Sequence, residues 1–346
     1  MTEGRFVRLA LAVVVVFITG VVLKAARGVL FPLALAVFLS YVADAPIGFL
    51  VQRKVPRTVA VALVLVVTFV VLYVVVVVFY ASGRAFIEGL PRYAERWAGL
   101  RRAVEARLAL FNAQGGLASI WDRLDPARVA AAALGLLGPF LAFFSNLLVV
   151  FVFLALLVAG RGRLLEKLSR ILPEEKGVRA REVVSAVNSQ VRKYIAIKTL
   201  ISLGNGLVVW LILTAFGVDF AAVHGFLAFM LNFIPNFGSF IAAALRFLLT
   251  LVQFGTLWVP LAVLATTVGT DELLGSLIEP RLMGRGLDLS PLVVFFALVF
   301  WGWLWGVAGM VLAVPITGVV KIVCENIPSL RFLAVLMGGG KAVNPA

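Results

Sequence analysis

The chain has 346 residues, of which 62% are hydrophobic and only 14% are charged. So small a charged fraction excludes a water-soluble globular protein, and at roughly 20 residues per crossing the apolar residues could fill about eight membrane spans. The net charge is +14. In a membrane protein, an excess of Lys and Arg beside the spans usually sets the orientation of the chain in the bilayer and does not bind nucleic acid. We therefore expect the lipid bilayer, and no nucleic acid, as a partner.

Four apolar runs predict membrane-spanning helices in the first 160 residues, at Phe6–Leu23, Val29–Val51, Val59–Tyr80 and Leu134–Val158. The third run is rich in valine, which forms helices poorly in water. In lipid a helix satisfies all its own backbone groups, so we expect this run to be helical as well. We interpret residues 1–160 as an N-terminal scaffold.

An amphipathic arm at 84–133 interrupts this scaffold. Apolar residues recur every three or four positions from Phe86 to Phe111, with arginines on the opposite face, which predicts an amphipathic helix. A second short helix is predicted around Ile120–Ala133. The first helix either lies on a membrane surface or against a neighbouring subunit, or it forms a solvated arm that closes over the other spans.

The segment 161–198 is strongly basic, with ten Lys and Arg against four Glu. Pro173 divides it and can open a helix with Glu174 and Glu175 in the first turn. Basic residues beside spans predict the cytoplasmic side. Counting spans outward from this segment places both termini in the cytoplasm and the arm outside. We expect 331–346 to be a flexible basic tail.

The remainder, 199–330, is interpreted as a transport domain. It opens with a span at Leu200–Phe216, but the run at 220–254 is broken near its centre. Pro235 disfavours helical backbone at the preceding residue, and Gly238 permits positive φ. We therefore predict a hairpin of two half-helices, each too short to cross a hydrocarbon core of about 30 Å.

The same pattern recurs further along the chain. A span at Leu257–Ile278 leads to a basic turn, and the run at 291–323 is interrupted by glycines and by Pro315. A second re-entrant hairpin here would return the basic tail to the cytoplasm. The alternative is that 220–254 and 291–323 are kinked spans packed through glycine.

The predicted fold is thus an all-α polytopic membrane protein with about six transmembrane helices and two broken re-entrant hairpins. The hairpins belong to a C-terminal inverted repeat, an arrangement typical of secondary transporters that bind substrate where the broken helices meet.

Ionisable residues within spans are expensive, so they are functional candidates. Asp271 and Glu272 are adjacent, and we expect one to line a cavity and the other to pair with Arg246; they form either a proton or cation site or a structural ion pair. Asn232 and Asn236 flank the proline of the first hairpin, and suit either a polyhydroxylated ligand or capping of the half-helix ends.

Catalytic and metal chemistry find little support. The chain has no phosphate-binding Gly-Lys-Ser/Thr loop and no His-Glu-x-x-His motif, and His224 and Cys324 are its only histidine and cysteine. We expect no enzyme activity, no metal site and no cofactor, apart from coupling to Na⁺ or H⁺.

Four motifs carry a family resemblance. LNFIPNFG at 231–238, EPRLMG at 279–284, LSPLVV at 289–294 and GVAGMVLAVP at 306–315 occur in order and in register with the spans. The chain resembles the autoinducer-2 exporter family, also described as PerM-type permeases. The resemblance implies a bacterial inner-membrane protein that exports a small polar molecule such as autoinducer-2, or exchanges sodium for protons. It also implies a homo-oligomer, a pentamer, and an elevator mechanism.

The chain departs from the family where relatives often carry an acid-x-Asn pattern, because it has Leu274-Gly275-Ser276 there. At the third position, Ser276 keeps a hydrogen-bonding group but lacks the amide of asparagine. The substrate and the cation coupling of the family therefore do not transfer directly to this chain. A channel or a scaffold without transport is the alternative from another functional class. The residues that we expect along the substrate or ion pathway are Asn232, Pro235, Asn236, Gly238, Asp271, Glu272, Ser276, Glu279, Gly302, Gly306 and Gly309.

Overall fold

The computed structural model describes Val14 and residues 18–109, 147–160, 174–283, 287–327 and 330–339. These residues are almost all helical and include no strand, which confirms the predicted all-α fold. Several predicted features lie outside the described residues: most of the first span, the second helix of the arm, the start of the fourth span and the end of the tail.

The helices follow one another with short connections. We number them α1 Arg27–Gln52, α2 Arg57–Ala109, α3 Leu147–Gly160, α4 Glu174–Ala215, α5 Ala221–Leu231, α6 Phe237–Phe254, α7 Trp258–Glu272, α8 Glu279–Met283, α9 Pro291–Trp305, α10 Val307–Asn326 and α11 Arg331–Met337. A π-helix, Leu273–Ile278, joins α7 to α8. The chain is helical from Glu174 onward, the first described residue after a gap, and the predicted helix start at Pro173 lies outside the described residues, as does 161–172.

Two helices are longer than the hydropathy pattern predicts. The third span and the first helix of the arm form one unbroken helix of 53 residues, α2, which continues through Pro91. The second part of the cytoplasmic segment and the following span form one helix of 42 residues, α4. A change in hydropathy along the chain shows where a helix leaves an apolar environment. The helical backbone can continue through that point without a break.

The chain divides into two compact units, each discontinuous in sequence. Unit 1 comprises Met1–Val61, Leu147–Ile197 and Met283–Ala346, whereas unit 2 comprises Ala62–Asn146 and Lys198–Leu282. Within unit 1, α1 packs against α3, and α10 packs against α9 and α11. Within unit 2, α6 packs against α5 and α7 around an apolar cluster of buried residues: Val209, Leu213, Val218, Ala228 and Val263.

Hairpin 1, formed by α5 and α6, turns at the proline motif of the sequence. Asn236 has φ of 60° and ψ of −51°, and the Phe237 amide donates to the Pro235 carbonyl at 2.6 Å. This is a γ-turn of the rare, strained kind. A Cβ on Gly238 would lie 1.7 Å from the Leu231 carbonyl oxygen, so only glycine fits where the second arm leaves the turn.

Hairpin 2, formed by α9 and α10, turns at a single residue. Gly306 has φ of 68° and ψ of −152°, a conformation that is essentially restricted to glycine. The Trp301 indole donates to the Thr317 hydroxyl at 3.3 Å, which shows that the second arm folds back on the first. The structure therefore contains hairpins, and the alternative of two kinked spans is wrong.

The other glycines of hairpin 2 allow its arms to approach closely. A Cβ on Gly309 would lie 2.0 Å from the Trp301 carbonyl oxygen, and one on Gly302 would lie 2.6 Å from the Met310 methyl carbon. Pro315 stays inside α10 and does not break it. Each hairpin thus has a glycine early in its second arm that faces a carbonyl near the end of its first arm.

The expected arm lengths need correction. The first arms are short, at 11 residues in α5 and 15 in α9. The second arms, α6 and α10, have 18 and 20 residues and are long and apolar enough to cross a membrane, since they measure about 27 and 30 Å at 1.5 Å per residue. The other candidate spans are α1, residues 57–99 of α2, residues 180–215 of α4, and the run 258–283.

Replacing Gly238 by Ala should lower the thermal stability of the protein in detergent micelles. The added methyl group meets a backbone carbonyl that cannot move without opening the turn, a cost of about 1 to 3 kcal/mol or more. The matched control is Gly269→Ala in α7, where nothing lies within 4 Å of the new Cβ. Equal melting temperatures for the two variants would contradict the tight turn.

Candidate functional site

A stripe of buried polar residues runs along α4 in unit 2. Lys198, Ser202 and Asn205 are 6%, 0% and 2% exposed, and spacings of four and three residues place them on one helix face. An unpaired polar group in an apolar interior costs about 1 to 3 kcal/mol, and more when it is charged. Each of the three should therefore have a partner, and each finds it on a different element.

Lys198 pairs with the first residue of the EPRLMG motif. Its ammonium lies 2.8 Å from both carboxylate oxygens of Glu279, and the two side chains are 7% and 15% exposed. Glu279 opens the short helix α8. This predicted pathway residue therefore has its carboxylate fully engaged in a buried ion pair that attaches α8 to α4.

Ser202 holds the turn of hairpin 1. The Asn232 amide donates to its hydroxyl at 2.9 Å, so a single neutral hydrogen bond attaches the start of the turn to α4. Asn236 is exposed, and its side chain does not cap α6. Of the two asparagines, only Asn232 thus lies at the stripe, and Asn236 serves the turn through its backbone.

Asn205 belongs to a three-residue cluster with Asp271 and Arg246. Its amide donates to one Asp271 oxygen at 2.8 Å, and the Arg246 guanidinium donates to the other at 2.9 Å. The Asp271 side chain is 8% exposed and that of Arg246 is 1% exposed. The structure therefore joins helices α4, α6 and α7 at a buried, charge-balanced centre.

Glu272 lies elsewhere on the surface of unit 2. It is exposed, and its carboxylate accepts a hydrogen bond at 2.7 Å from the hydroxyl of Ser276. Ser276 itself belongs to the π-helix, a feature that often marks functional sites and that hydropathy cannot predict. Of the two adjacent acids, Asp271 is thus the one that pairs with Arg246.

Three of the residues predicted along the substrate or ion pathway do not belong to unit 2. Gly302, Gly306 and Gly309 belong to unit 1.

The extension of α2 clamps the base of hairpin 1. The Tyr93 hydroxyl donates to the Asp219 carboxylate at 2.6 Å, before the first arm begins. Arg96 donates to the backbone carbonyl of Gln253, near the end of the second arm. The Gln253 side chain in turn bonds the Asp219 amide and the Gly217 carbonyl, each at 2.8 Å. Buried Trp97 packs beside Leu251.

Tyr93 and Trp97, two residues of the apolar face of the arm, therefore contact other elements of unit 2. Lys198 and Ser202 were not predicted from the sequence as members of the site, and neither were the hydrogen bonds of Gln253. A signal was available for the first two, since polar residues spaced at 198, 202 and 205 along an otherwise apolar helix share one face.

Comparisons with known proteins agree on one family. The profile described as "AI-2E family transporter" matches residues 11–329. The AI-2 transport protein TqsA of Escherichia coli K12 is 31% identical over 97% of this chain and 96% of its own length. YhhT of the same organism, named as a candidate transport protein, is 33% identical over 98% and 95%. The candidate permease PerM is 26% identical over 92% and 93%.

Replacing Lys198 by Met should destabilise the protein by about 3 to 5 kcal/mol, because it leaves the buried Glu279 carboxylate without its partner. Adding Glu279→Gln should recover most of that loss, since no buried charge remains. Thermal unfolding of both variants in detergent micelles measures the difference. If the double variant were no more stable than the single one, the pair would not be an energetic unit.

Replacing Tyr93 by Phe should loosen the base of hairpin 1. The variant removes a buried hydrogen bond to a carboxylate, so amide exchange in a peptide covering 217–220 should be faster by about fivefold or more. Hydrogen–deuterium exchange with mass spectrometry provides the measurement. Tyr80→Phe is the control, because Tyr80 is 68% exposed; equal exchange in both variants would exclude the clamp.

Proposed function

The chain belongs to the AI-2E transporter family, and we propose that it exports a small polar molecule of the autoinducer-2 type by moving hairpin 1. It is a multi-pass bacterial membrane protein of a transport family. A relative named for AI-2 transport that matches almost the whole chain supports the substrate class.

The observation that carries the proposal is the unequal attachment of hairpin 1. Among the described residues, its turn makes a neutral hydrogen bond to α4, Asn232 to Ser202, worth about 1 kcal/mol. The γ-turn at Asn236 stores strain that favours rearrangement. The neighbouring element α8 is fixed by a buried ion pair instead. Of the polar contacts along the stripe, the one at the turn is therefore the weakest, while the buried Phe233 and Ile234 add apolar packing to the turn.

In the elevator mechanism that we propose, a hairpin-bearing part carries substrate across while the rest stays fixed in a homo-oligomer, which we take to be a pentamer. Glu272 and Ser276 support an assembly, because an exposed acid on an apolar span would cost about 2.5 kcal/mol or more against lipid. A neighbouring copy or an aqueous passage removes that cost. Basic residues beside the spans support an inner-membrane location with both termini in the cytoplasm.

Sodium/proton exchange is the competing transport function. At Asp271 it would require a cation to bind beside the Arg246 guanidinium, which already neutralises this carboxylate at 2.9 Å. A cation would have to displace the guanidinium. The geometry therefore favours export of a molecular substrate over exchange at this carboxylate.

Purified protein in proteoliposomes should show saturable flux of autoinducer-2. Replacing Asn232 and Asn236 together by Ala should lower that flux about tenfold, since the turn loses its attachment and its tolerance of positive φ. Thr266→Val is the control, because the Thr266 hydroxyl bonds only to carbonyls of its own helix.

Folded protein without saturable flux would contradict export and favour a scaffold, whereas unsaturable flux would favour a channel. Imposed sodium and pH gradients separate the remaining functions. Exchange of sodium for protons that disappears in Asp271→Asn would establish the antiporter instead.

A further inference from the structure

The cluster of Arg246, Asp271 and Asn205 has hydrogen-bonding groups that its own contacts leave unused. A guanidinium has five N–H donors, and Arg246 uses Nη2 on Asp271. Its Nε and Nη1 atoms are buried, and neither finds a hydrogen-bond partner within the described part of the chain. The amide oxygen of Asn205 is likewise buried and unpaired there.

Burying these atoms without hydrogen-bond partners costs free energy of folding. Arg246 is 1% exposed and Asn205 is 2% exposed, so bulk solvent does not satisfy them. Each buried orphan costs about 1 to 3 kcal/mol, and native proteins keep few of them unless water, an ion or a ligand supplies the missing partner. The two donors and the acceptor lie on side chains that bind the same carboxylate, and a guest molecule that paired with them would be stabilised.

The charge balance of the cluster restricts the guest. Arg246 and Asp271 neutralise each other at 2.9 Å. A cation would be repelled by the guanidinium, whose charge already neutralises Asp271. An anion would leave a net negative charge in a low-dielectric interior, which is unfavourable. The unused groups instead match a neutral molecule with oxygen acceptors for Nε and Nη1 and a hydroxyl donor for the Asn205 oxygen.

We infer that Arg246 and Asn205 bind the substrate of the proposed exporter, and that this substrate is a neutral, hydroxyl-bearing solute; the inference rests on the proposed function. Asp271 is a positioning residue that holds both side chains. Arg246 lies on the second arm of hairpin 1 and Asn205 lies on α4, so a bound solute links the arm to α4. Movement of the arm separates the two groups and also opens the Arg246–Asp271 ion pair, which ties release to the same motion.

The test compares solutes of similar size and different charge: ribose, its acid ribonate and the amino sugar glucosamine, alongside autoinducer-2. Flux into proteoliposomes is measured for wild type, Arg246→Lys and Asn205→Leu. The lysine variant keeps the positive charge beside Asp271 but removes Nε and Nη1. Thr267→Val on α7 is the matched control, because this buried hydroxyl bonds only to carbonyls of its own helix.

We expect wild type to carry the neutral solutes in preference to the charged ones. Arg246→Lys should raise the KM for autoinducer-2 by about 10- to 100-fold, the effect of losing hydrogen bonds from a charged donor, while the control keeps the wild-type KM. Asn205→Leu should also raise KM.

Preference for ribonate or glucosamine would overturn the inference. So would an unchanged KM in Arg246→Lys together with a lower melting temperature, which would show that the unused groups hold only internal water. In both cases wild-type autoinducer-2 flux persists and export stands. If wild type carries none of the solutes, the proposed function itself fails, and the inference fails with it.

Discussion

The requirement that buried polar groups be paired organises unit 2. Lys198, Ser202 and Asn205 occupy one face of α4, in an interior where an unpaired group would be expensive. Their partners come from α8, from the turn of hairpin 1 and from α7. Apolar packing alone tolerates sliding of one helix along another. Three polar pairs at fixed positions along one helix do not, so they set the register of the elements around it.

The same pairs differ in strength. Lys198 with Glu279 is a buried ion pair whose partner cannot be removed cheaply. Asn232 with Ser202 is a neutral contact beside a strained turn. The cluster around Arg246 lies between these cases. Its two charges neutralise each other, but three of its buried polar atoms have no hydrogen-bond partner among the described residues. The hairpin movement proposed above would need such a gradation.

Much of the fold could be predicted from the sequence, because proline and glycine within an apolar run indicate where the helical backbone is interrupted. Both hairpins were predicted in this way, although three glycines and a proline in the second run could not show that Gly306 alone makes the turn. The unbroken α2 could not be predicted, since apolar and amphipathic stretches differ in surroundings and not in backbone. The pairing of Asp271 with Arg246 depends on helices distant in sequence, as does the clamp formed by Tyr93.

The length of α2 has a mechanical consequence. At 53 residues it measures about 80 Å, against a hydrocarbon core of about 30 Å. Tyr93 and Arg96 attach this rod to both ends of hairpin 1. A lipid bilayer that grew thicker or thinner would press the apolar part of the rod to tilt or slide. That displacement would reach the hairpin base through the same two side chains, so membrane thickness would act on hairpin 1 as a mechanical load.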